Sequence, residues 1–287
     1  MRSDLILVTG ATGTTGAEVV RQLLVAEQNV RVLVRDPQKV SDWAGKVEII
    51  QADLATPETL KAAFDGVAKV YIVANGPQLP EYEKNAFTAA KAAGVKHIVK
   101  LSGRHLDAPF MAESAHARWH NDTEDALRSL GVPWTILRPG WFASNLLIFG
   151  VKEQRAIVFP TGNGKDIHID PRDIAAVAVK ALTTPDHEGK VYELTGTEFL
   201  SFTHVAAKLS QALGYEIPFI DIAPEAFREA MVSNGAPADH LDSVLSYFKG
   251  VREGKIYPPT QTVQEILGRP ARTFDDWLAD HVELLRS

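Results

Sequence analysis

Short strand-like runs alternate with helical patterns along the first half of the chain. The runs are rich in Val, Ile and Leu, and the segments between most of them carry apolar residues at helical spacing. The runs lie at 5–8, 30–34, 47–50, 70–73, 97–101 and 134–137, and the helical patterns lie at 17–24, 58–64, 81–93 and 113–130. This alternation predicts an α/β fold in which a doubly wound parallel sheet carries helices on both faces.

The regular alternation ends at Pro139 and Gly140. An aromatic-rich stretch with turn residues follows, and Asp170 then predicts the start of a helix as its N-cap, with Pro171 at the first helical position. Farther on, four helical patterns at 205–213, 225–232, 238–248 and 275–285 enclose a short strand at 217–220. We expect this C-terminal part to close over the carboxyl ends of the strands, where ligands of open α/β sheets bind.

A glycine-rich turn joins the first strand-like run to the first helical pattern. Its glycines Gly10, Gly13 and Gly16 have the spacing of a dinucleotide-binding fingerprint. Gly10 would permit the tight turn, Gly13 the close approach of a pyrophosphate, and Gly16 the packing of the helix. The phosphate charge would meet free N–H groups at the helix N-terminus; a glycine turn without a ligand is the alternative. The other residues of the predicted phosphate site are Thr12, Thr14 and Thr15.

The residue at the end of the second strand indicates which of the two adenine dinucleotides, NAD or NADP, the protein binds. Arg35 lies there, where a carboxylate would bind the ribose of NAD and an arginine would bind the 2′-phosphate of NADP. Lys39 would add positive charge, whereas Asp36 leaves open a pairing with Arg35 or a contact to the ribose. We therefore expect NADPH to be preferred over NADH. Further cofactor contacts are expected after the third and fourth strands, at Asp53, Leu54, Ala74, Asn75 and Gly76.

The composition narrows the class of protein. Of 287 residues, 45% are hydrophobic and 23% are charged, as in soluble globular proteins, and a formal net charge of −6 without a basic tract argues against a nucleic-acid partner. The absence of cysteine excludes disulfides and thiolate chemistry. The chain begins almost directly with a strand-like run and holds no apolar run of membrane-spanning length, so we expect a cytoplasmic protein without membrane contact.

Four stretches together resemble the NmrA-like group of atypical short-chain dehydrogenases/reductases. They are 9–16, 32–36, 51–54 and 134–140, and the ending 268–274 is similar to reductases of this group that act on azo dyes, triphenylmethane dyes or quinones. The resemblance covers nearly the whole chain. It implies a Rossmann-like fold with bound NADP(H). We therefore expect 1–140 to form the NADP-binding domain and 141–287 to form mainly a smaller substrate-binding part, with some segments returning to the sheet.

The wider superfamily uses a Tyr followed four residues later by a Lys, and none of the six tyrosines here has that partner. By the family spacing, counted back from Glu124, His116 and His120 hold the two positions. They lie one helical turn apart, and either could act as general acid or orient the acceptor. Two histidines that only fill these places, with the proton taken from water, are the alternative; a zinc site is disfavoured because no third ligand is evident. Ser102 would be a substrate-binding hydroxyl or a turn residue.

The residues after the sixth strand are expected to meet the nicotinamide and the acceptor. Backbone groups of Pro139 and Gly140 would contact the carboxamide, while Trp141, Phe142 and Asn145 would bind a flat acceptor unless they belong to the core. The predicted function is NADPH-dependent hydride transfer to a quinone, azo or triphenylmethane-dye type of acceptor, by a monomer or homodimer without a metal. The resemblance also leaves open a non-catalytic NADP-binding redox sensor that regulates a partner protein.

Overall fold

The computed structural model describes residues 4–236 and 238–286, which divide into two compact units. The first unit contains the residues up to Gly103 together with Trp119–Pro139 and Pro171–Glu193. The second contains Arg104–Arg118, Gly140–Asp170 and the residues from Leu194 onward. The chain therefore passes between the units several times.

Strands and helices occupy most of the described chain. The strands are β1 (Leu5–Val8), β2 (Asn29–Val34), β3 (Glu48–Gln51), β4 (Lys69–Ile72), β5 (His97–Leu101), β6 (Trp134–Pro139), β7 (Trp141–Phe142), β8 (Ile157–Phe159), β9 (Lys165–Ile169), β10 (Lys190–Leu194), β11 (Phe199–Ser201) and β12 (Phe219–Asp221). The α-helices are α1 (Thr14–Val25), α2 (Pro57–Phe64), α3 (Leu79–Ala92), α4 (Ala115–Arg128), α5 (Asn145–Ile148), α6 (Val151–Gln154), α7 (Pro171–Thr183), α8 (Phe202–Leu213), α9 (Pro224–Ser233), α10 (Ala238–Arg252), α11 (Thr262–Leu267) and α12 (Phe274–Arg286). Short 3-10 helices lie at Pro37–Trp43 and Pro109–Met111.

A seven-stranded sheet forms the centre of the first unit. Its strand order is β10-β6-β5-β4-β1-β2-β3, and the pairs from β6 to β3 are parallel. The chain leaves β1 toward β2 on one side and later returns to β4 on the other, which makes the carboxyl ends of β1 and β4 the topological switch point of the sheet. The predicted doubly wound, Rossmann-like parallel sheet is confirmed.

Apolar residues fix the helices to this sheet. Strand residues such as Leu7, Ile72 and Ile98 are buried with Phe64 and Phe87 of α2 and α3 in one core cluster. The helices α1 and α7 pack against each other. Because the central strands are covered by apolar side chains, they appear in the sequence as nearly continuous apolar runs.

The second unit has its own core and two small sheets. One sheet has the order β11-β9-β7, and the other pairs β12 with β8 in parallel. The predicted strand at 217–220 begins later, at Phe219, because Pro218 has no N–H to donate and offers only its carbonyl, which accepts from Ile157 N at 2.9 Å. The core is rich in aromatic rings, among them Phe159, Phe202, Phe227, Phe248 and Trp277.

Within residues 4–236 and 238–286, every helix is too short or too polar to cross a membrane.

Candidate functional site

The glycine-rich turn is closed by contacts that leave no room for side chains at two of its glycines. Gly10 has a φ of +60°, and a Cβ on it would lie 2.5 Å from the Cγ1 atom of Val73, just after β4. A Cβ on Gly16 would lie 2.2 Å from the carbonyl oxygen of Gly10. Gly16 therefore allows α1 to pack against the turn itself. Thr9 ties the same turn to β4, since its hydroxyl accepts from Val73 N at 3.0 Å.

The N-terminus of α1 is open to an anion. Its N-cap is Gly13, which offers no side-chain cap, and the first turn of the helix holds no acidic residue. Thr12, Gly13 and Thr14 are exposed, whereas Thr15 is buried. Because the first N–H groups of a helix have no partner within it and carry partial positive charge, this turn fits a pyrophosphate.

The predicted nucleotide-selective residues follow β2. Arg35 is exposed, and its carbonyl accepts from the Gln51 side chain at 3.0 Å. Asp36 caps the 3-10 helix after it, because its Oδ1 accepts from Gln38 N at 3.0 Å. Lys39 is exposed in that same short helix. One oxygen of Asp36 is thus occupied by its own backbone, and no ion pair between Arg35 and Asp36 is found in the described chain.

The other predicted cofactor residues lie at the carboxyl ends of the neighbouring strands. Asp53 follows β3 and its Oδ1 accepts from Ala55 N at 3.0 Å, while the Leu54 carbonyl accepts from the Asn85 side chain. After β4, the Asn75 side chain accepts from Gly76 N at 2.8 Å, and Gly76 has a φ of +84°. The structure therefore brings the glycine turn and the ends of β2, β3 and β4, with Ala74 among them, to one edge of the sheet.

The hydroxyl of Ser102 is directed at a buried carboxylate. It donates to Glu124 Oε1 at 2.6 Å, and Glu124 is fully buried. Arg138 donates to both oxygens of Glu124, and Arg128 also donates to Oε2. Burial raises the pKa of Glu124, but the hydrogen bonds from Arg138 and Ser102 outweigh this effect and hold the pKa below its ordinary value. Ser102 thus has a structural partner, and its predicted catalytic role stays a prediction.

His120 contacts a buried lysine. Its Nδ1 lies 3.1 Å from Lys100 Nζ, and both side chains are buried. Lys100 also donates to the Leu101 carbonyl at 3.0 Å and forms an ion pair of 3.0 Å with Glu83, which is fully buried as well. Burial raises the pKa of Glu83, against the attraction of the Lys100 ammonium. The sequence analysis identified His120 but missed both of these charged partners.

His116 lies one turn before His120 on α4 and is half-buried. Its backbone N–H donates to the Ser243 hydroxyl at 3.0 Å. No group of three or more metal-ligating side chains is found among the described residues, so a zinc site at these histidines gains no support there.

The predicted acceptor residues have different surroundings. Trp141 packs against the core of the second unit, and its ring stacks with Phe149 at 5.7 Å and with Tyr247 at 5.2 Å between centroids. This is the core arrangement that the sequence left open for Trp141. Phe142 is half-buried in β7 and Asn145, also half-buried, begins α5. The N–H of Gly140 is bonded to the Leu194 carbonyl at 2.9 Å, while Pro139 ends β6 in the first unit.

The second unit also holds a buried acid that the sequence analysis missed. Asp166 of β9 is fully buried, its Oδ1 accepts from the Tyr247 hydroxyl at 2.7 Å, and its Oδ2 has no hydrogen-bond partner. Burial raises the pKa of Asp166 to about 7, although the Tyr247 hydrogen bond opposes this shift. Beside Tyr247, His105 has a φ of +63°, and burial lowers its pKa to about 3. No local pattern marks these residues.

The sequence profile of the NAD(P)H-binding family matches residues 10–185, which include the glycine-rich turn and most of the sheet. The chain belongs to the NAD(P)H-binding family.

Two relatives and one solved structure match over almost their whole length. The chain is 39% identical to a (4-alkanoyl-5-oxo-2,5-dihydrofuran-3-yl)methyl phosphate reductase of Streptomyces griseus, over 97% of this chain and 98% of the relative. It is 38% identical to an NAD(P)H azoreductase of Xenophilus azovorans, over 96% and 98% respectively. The structure of an NADPH-dependent quinone oxidoreductase from Escherichia coli in complex with NADPH matches with a TM-score of 0.84 at 29% identity, covering 96% of this chain and 99% of that protein. These matches confirm the predicted resemblance to NAD(P)H-dependent quinone and azo-dye reductases, and the predicted NAD(P)H-dependent oxidoreductase is confirmed with it.

The stretch 268–274, which is similar to dye and quinone reductases, connects two helices of the second unit. Gly268 ends α11 with a left-handed backbone, at a φ of +69°. Thr273 then begins α12 with a reciprocal cap, because its hydroxyl accepts from Asp276 N and its N–H donates to Asp276 Oδ2. The stretch 268–274 thus ends α11 and begins α12.

Proposed function

We propose that this protein is an NADPH-dependent reductase that transfers hydride to conjugated or aromatic acceptors. The observation that carries the proposal is the agreement between the glycine-rich turn, which fits a pyrophosphate, and full-length relatives that are themselves reductases. When bound, NADPH supplies the hydride. The protein supplies the binding site, the orientation of the reactants and a proton.

The residues of the first unit would hold the cofactor. The N–H groups at the start of α1, around Gly13, would bind the pyrophosphate, and Arg35 would bind the 2′-phosphate as a planar donor. Two features support a preference for NADPH over NADH. Arg35 is exposed at the end of β2, and Asp36, the only carboxylate beside it in sequence, already accepts a hydrogen bond from Gln38 N.

The acceptor class follows from what the named relatives reduce. The ring in the name of the Streptomyces reductase carries a carbon–carbon double bond conjugated to a carbonyl, and quinones contain the same unit. Hydride adds to one end of such a system and a proton adds to the other. We therefore place conjugated carbonyl compounds first among acceptors, with azo compounds second.

The second unit would receive the acceptor. Phe142 and Asn145 are half-buried and thus have surface to offer, whereas Trp141 would act through the aromatic core on which it packs. The proton would come from His120 or from water. Ser102 is a weaker candidate, because its hydroxyl donates to Glu124.

Loss of NADPH absorbance with a panel of acceptors tests the proposal. The purified protein is titrated with NADPH and NADH, and then mixed with a simple quinone, a conjugated butenolide and an azo dye. Rapid NADPH oxidation with at least one of them is the expected result. Tight NADPH binding without turnover on any acceptor would contradict a reductase and would favour a sensor that only binds the cofactor.

A further inference from the structure

Lys100 is fully buried, and its ammonium group has three polar partners: two hydrogen-bond contacts and one ion pair. An ammonium group has three N–H donors. Three acceptors lie within 3.1 Å of Nζ, and they are the Leu101 carbonyl, Glu83 Oε2 and His120 Nδ1. A lysine is almost never fully buried unless it is paired. Its partners come from three elements, α3, β5 and α4, so this arrangement is a built feature of the first unit.

Glu83 is the buried carboxylate that pairs with the lysine. A lone ammonium in this place would be costly, because burial disfavours an unpaired charge. The carboxylate of Glu83, 3.0 Å away and equally buried, compensates that charge. Another buried carboxylate, Glu124, is hydrogen-bonded by Arg138 and Ser102. It also interacts with this pair through space, because its charge raises the pKa of Glu83 and Lys100 lowers the pKa of Glu124. Tyr71 also faces Glu83, and burial raises the pKa of its phenol, so it stays neutral.

The charge of Lys100 sets the state of the histidine. An ammonium can only donate, so the Nδ1 atom of His120 must accept and cannot carry a proton. The ring is then neutral with its proton on Nε2, and a second positive charge next to Lys100 is disfavoured. We infer that Lys100, compensated by Glu83, is a positioning residue that holds His120 neutral with its proton on Nε2, the form that can donate a proton to an acceptor.

This inference deepens the proposed function and rests on it for the catalytic part. In the reaction, the Nε2 proton of His120 would go to the acceptor as the bound cofactor supplies hydride. The Lys100 ammonium at Nδ1 would stabilise the imidazolate that is left, and this ring would take a proton back from solvent. Lys100 and Glu83 exchange no proton with the acceptor. Their effect is to keep one tautomer populated before the acceptor arrives, in the way that a carboxylate fixes the histidine of other catalytic sites.

Nitrogen-15 spectra of the histidine rings test the inference without any turnover. The protein is labelled on histidine, and the His120 signals are assigned by their loss in His120→Gln. The expected spectrum shows a neutral ring with protonated Nε2 near neutral pH. A ring protonated on Nδ1, or an imidazolium, would overturn the inference even if the protein is an active reductase.

Paired variants connect this state to catalysis. Glu83→Gln with Lys100→Met removes both charges together, and the His120 spectrum is then expected to show a mixture of tautomers, with kcat at least about tenfold lower at unchanged KM for NADPH. The matched control is Lys84→Met with Asp122→Asn, which removes an exposed ion pair of 2.7 Å between the same two helices, α3 and α4. The control is expected to change neither quantity.

Each result bears on one claim only. An unchanged His120 spectrum in the folded Glu83→Gln/Lys100→Met protein overturns the inference. If that variant does not fold by circular dichroism, the wild-type spectrum alone decides. Absence of turnover in the wild type with every acceptor overturns the proposed function instead, and leaves the tautomer result standing.

Discussion

The guanidinium group of Arg138 binds both carboxylate oxygens of Glu124, with Nε 2.9 Å from Oε1 and Nη2 2.7 Å from Oε2. Glu124 is fully buried, and the fork of the arginine matches its geometry. This contact gives Arg138 a structural role within the stretch 134–140, which the sequence analysis used only for the family resemblance. We expect Arg138→Ala to lower the free energy of unfolding by about 3 to 5 kcal/mol, because a buried charge loses its main partner.

Arg128 provides the matched control for this prediction. It donates to the same oxygen of Glu124 at 2.7 Å, but its side chain is 35% exposed, compared with 15% for Arg138. Arg128→Ala is therefore expected to cost about 1 kcal/mol or less. Chemical denaturation of the three proteins measures both effects. Equal losses in the two variants would contradict the dominant role of Arg138.

Alanine substitutions at two glycines of the turn are expected to have different effects on stability and on cofactor binding. Gly16→Ala places a Cβ 2.2 Å from the Gly10 carbonyl oxygen, so it should destabilise the protein by about 1 to 3 kcal/mol. At Gly13 a Cβ would lie 3.3 Å from the same oxygen, with φ at −91°, which alanine adopts readily. Gly13→Ala should therefore lower the melting temperature less than Gly16→Ala does, and it should weaken NADPH binding. An equal loss of stability in the two variants would contradict this difference.

Arg35 is expected to determine the preference for NADPH. Arg35→Asp should raise the Kd for NADPH by about ten- to a hundredfold, because a hydrogen bond to a charged group contributes roughly 1.5 to 3 kcal/mol. The Kd for NADH should change little. Nicotinamide fluorescence titrations measure both constants.

Lys61→Asp makes the same change of charge elsewhere and serves as the control. Lys61 is exposed in the last turn of α2, which runs away from the carboxyl ends of the strands. The Lys61→Asp variant should leave the Kd values for NADPH and NADH unchanged. If Arg35→Asp weakens NADPH and NADH equally, the assignment of Arg35 to the 2′-phosphate is wrong.

Asp166 is expected to make stability depend on pH. Its pKa is raised from 3.8 to about 7, so between these values the folded protein keeps a proton that the unfolded chain has lost. Its contribution to stability is therefore complete below pH 4 and is lost as the pH rises through about 7. The free energy of unfolding is expected to fall by at most about 1.4 kcal/mol per pH unit between these two pKa values.

The variant Asp166→Asn isolates this effect from the buried histidines, whose lowered pKa values act in the opposite direction. The difference in stability, variant minus wild type, should increase from pH 4 to pH 7 and then level off. Thermal unfolding across this range measures it, with Asp42→Asn at an exposed position as the control. A difference that is independent of pH would show that Asp166 is ionised in the folded protein.

The sequence predicted the features that depend on local spacing. The strands β1 to β6 appear as apolar runs because the core covers them, and the glycine turn is defined by spacing within a few residues of chain. The edge strand β10 gave no such signal, since Lys190 and Val191 are exposed and only Leu194 is fully buried. In β9, the buried Asp166 and His168 interrupt the apolar pattern.

The polar interior could not be predicted in this way. Lys100 stands in a strand-like run, and its partner Glu83 lies on α3 in a segment whose helical pattern is typical of an exposed face. Only the fold brings the two charges together. The same holds for Asp166 and Tyr247, which are 81 residues apart along the chain.

The repeated passage of the chain between its two units has a consequence for biosynthesis. The first unit receives its last segment, Pro171–Glu193, after two long excursions into the second. Its edge strand β10 pairs with β6 and ends at Leu194, so the sheet cannot be completed before residue 194 of 287 has been synthesised. Until then β6 presents an unpaired edge, which is the kind of surface that chaperones protect on nascent chains. This edge can therefore close only after Leu194 has been synthesised.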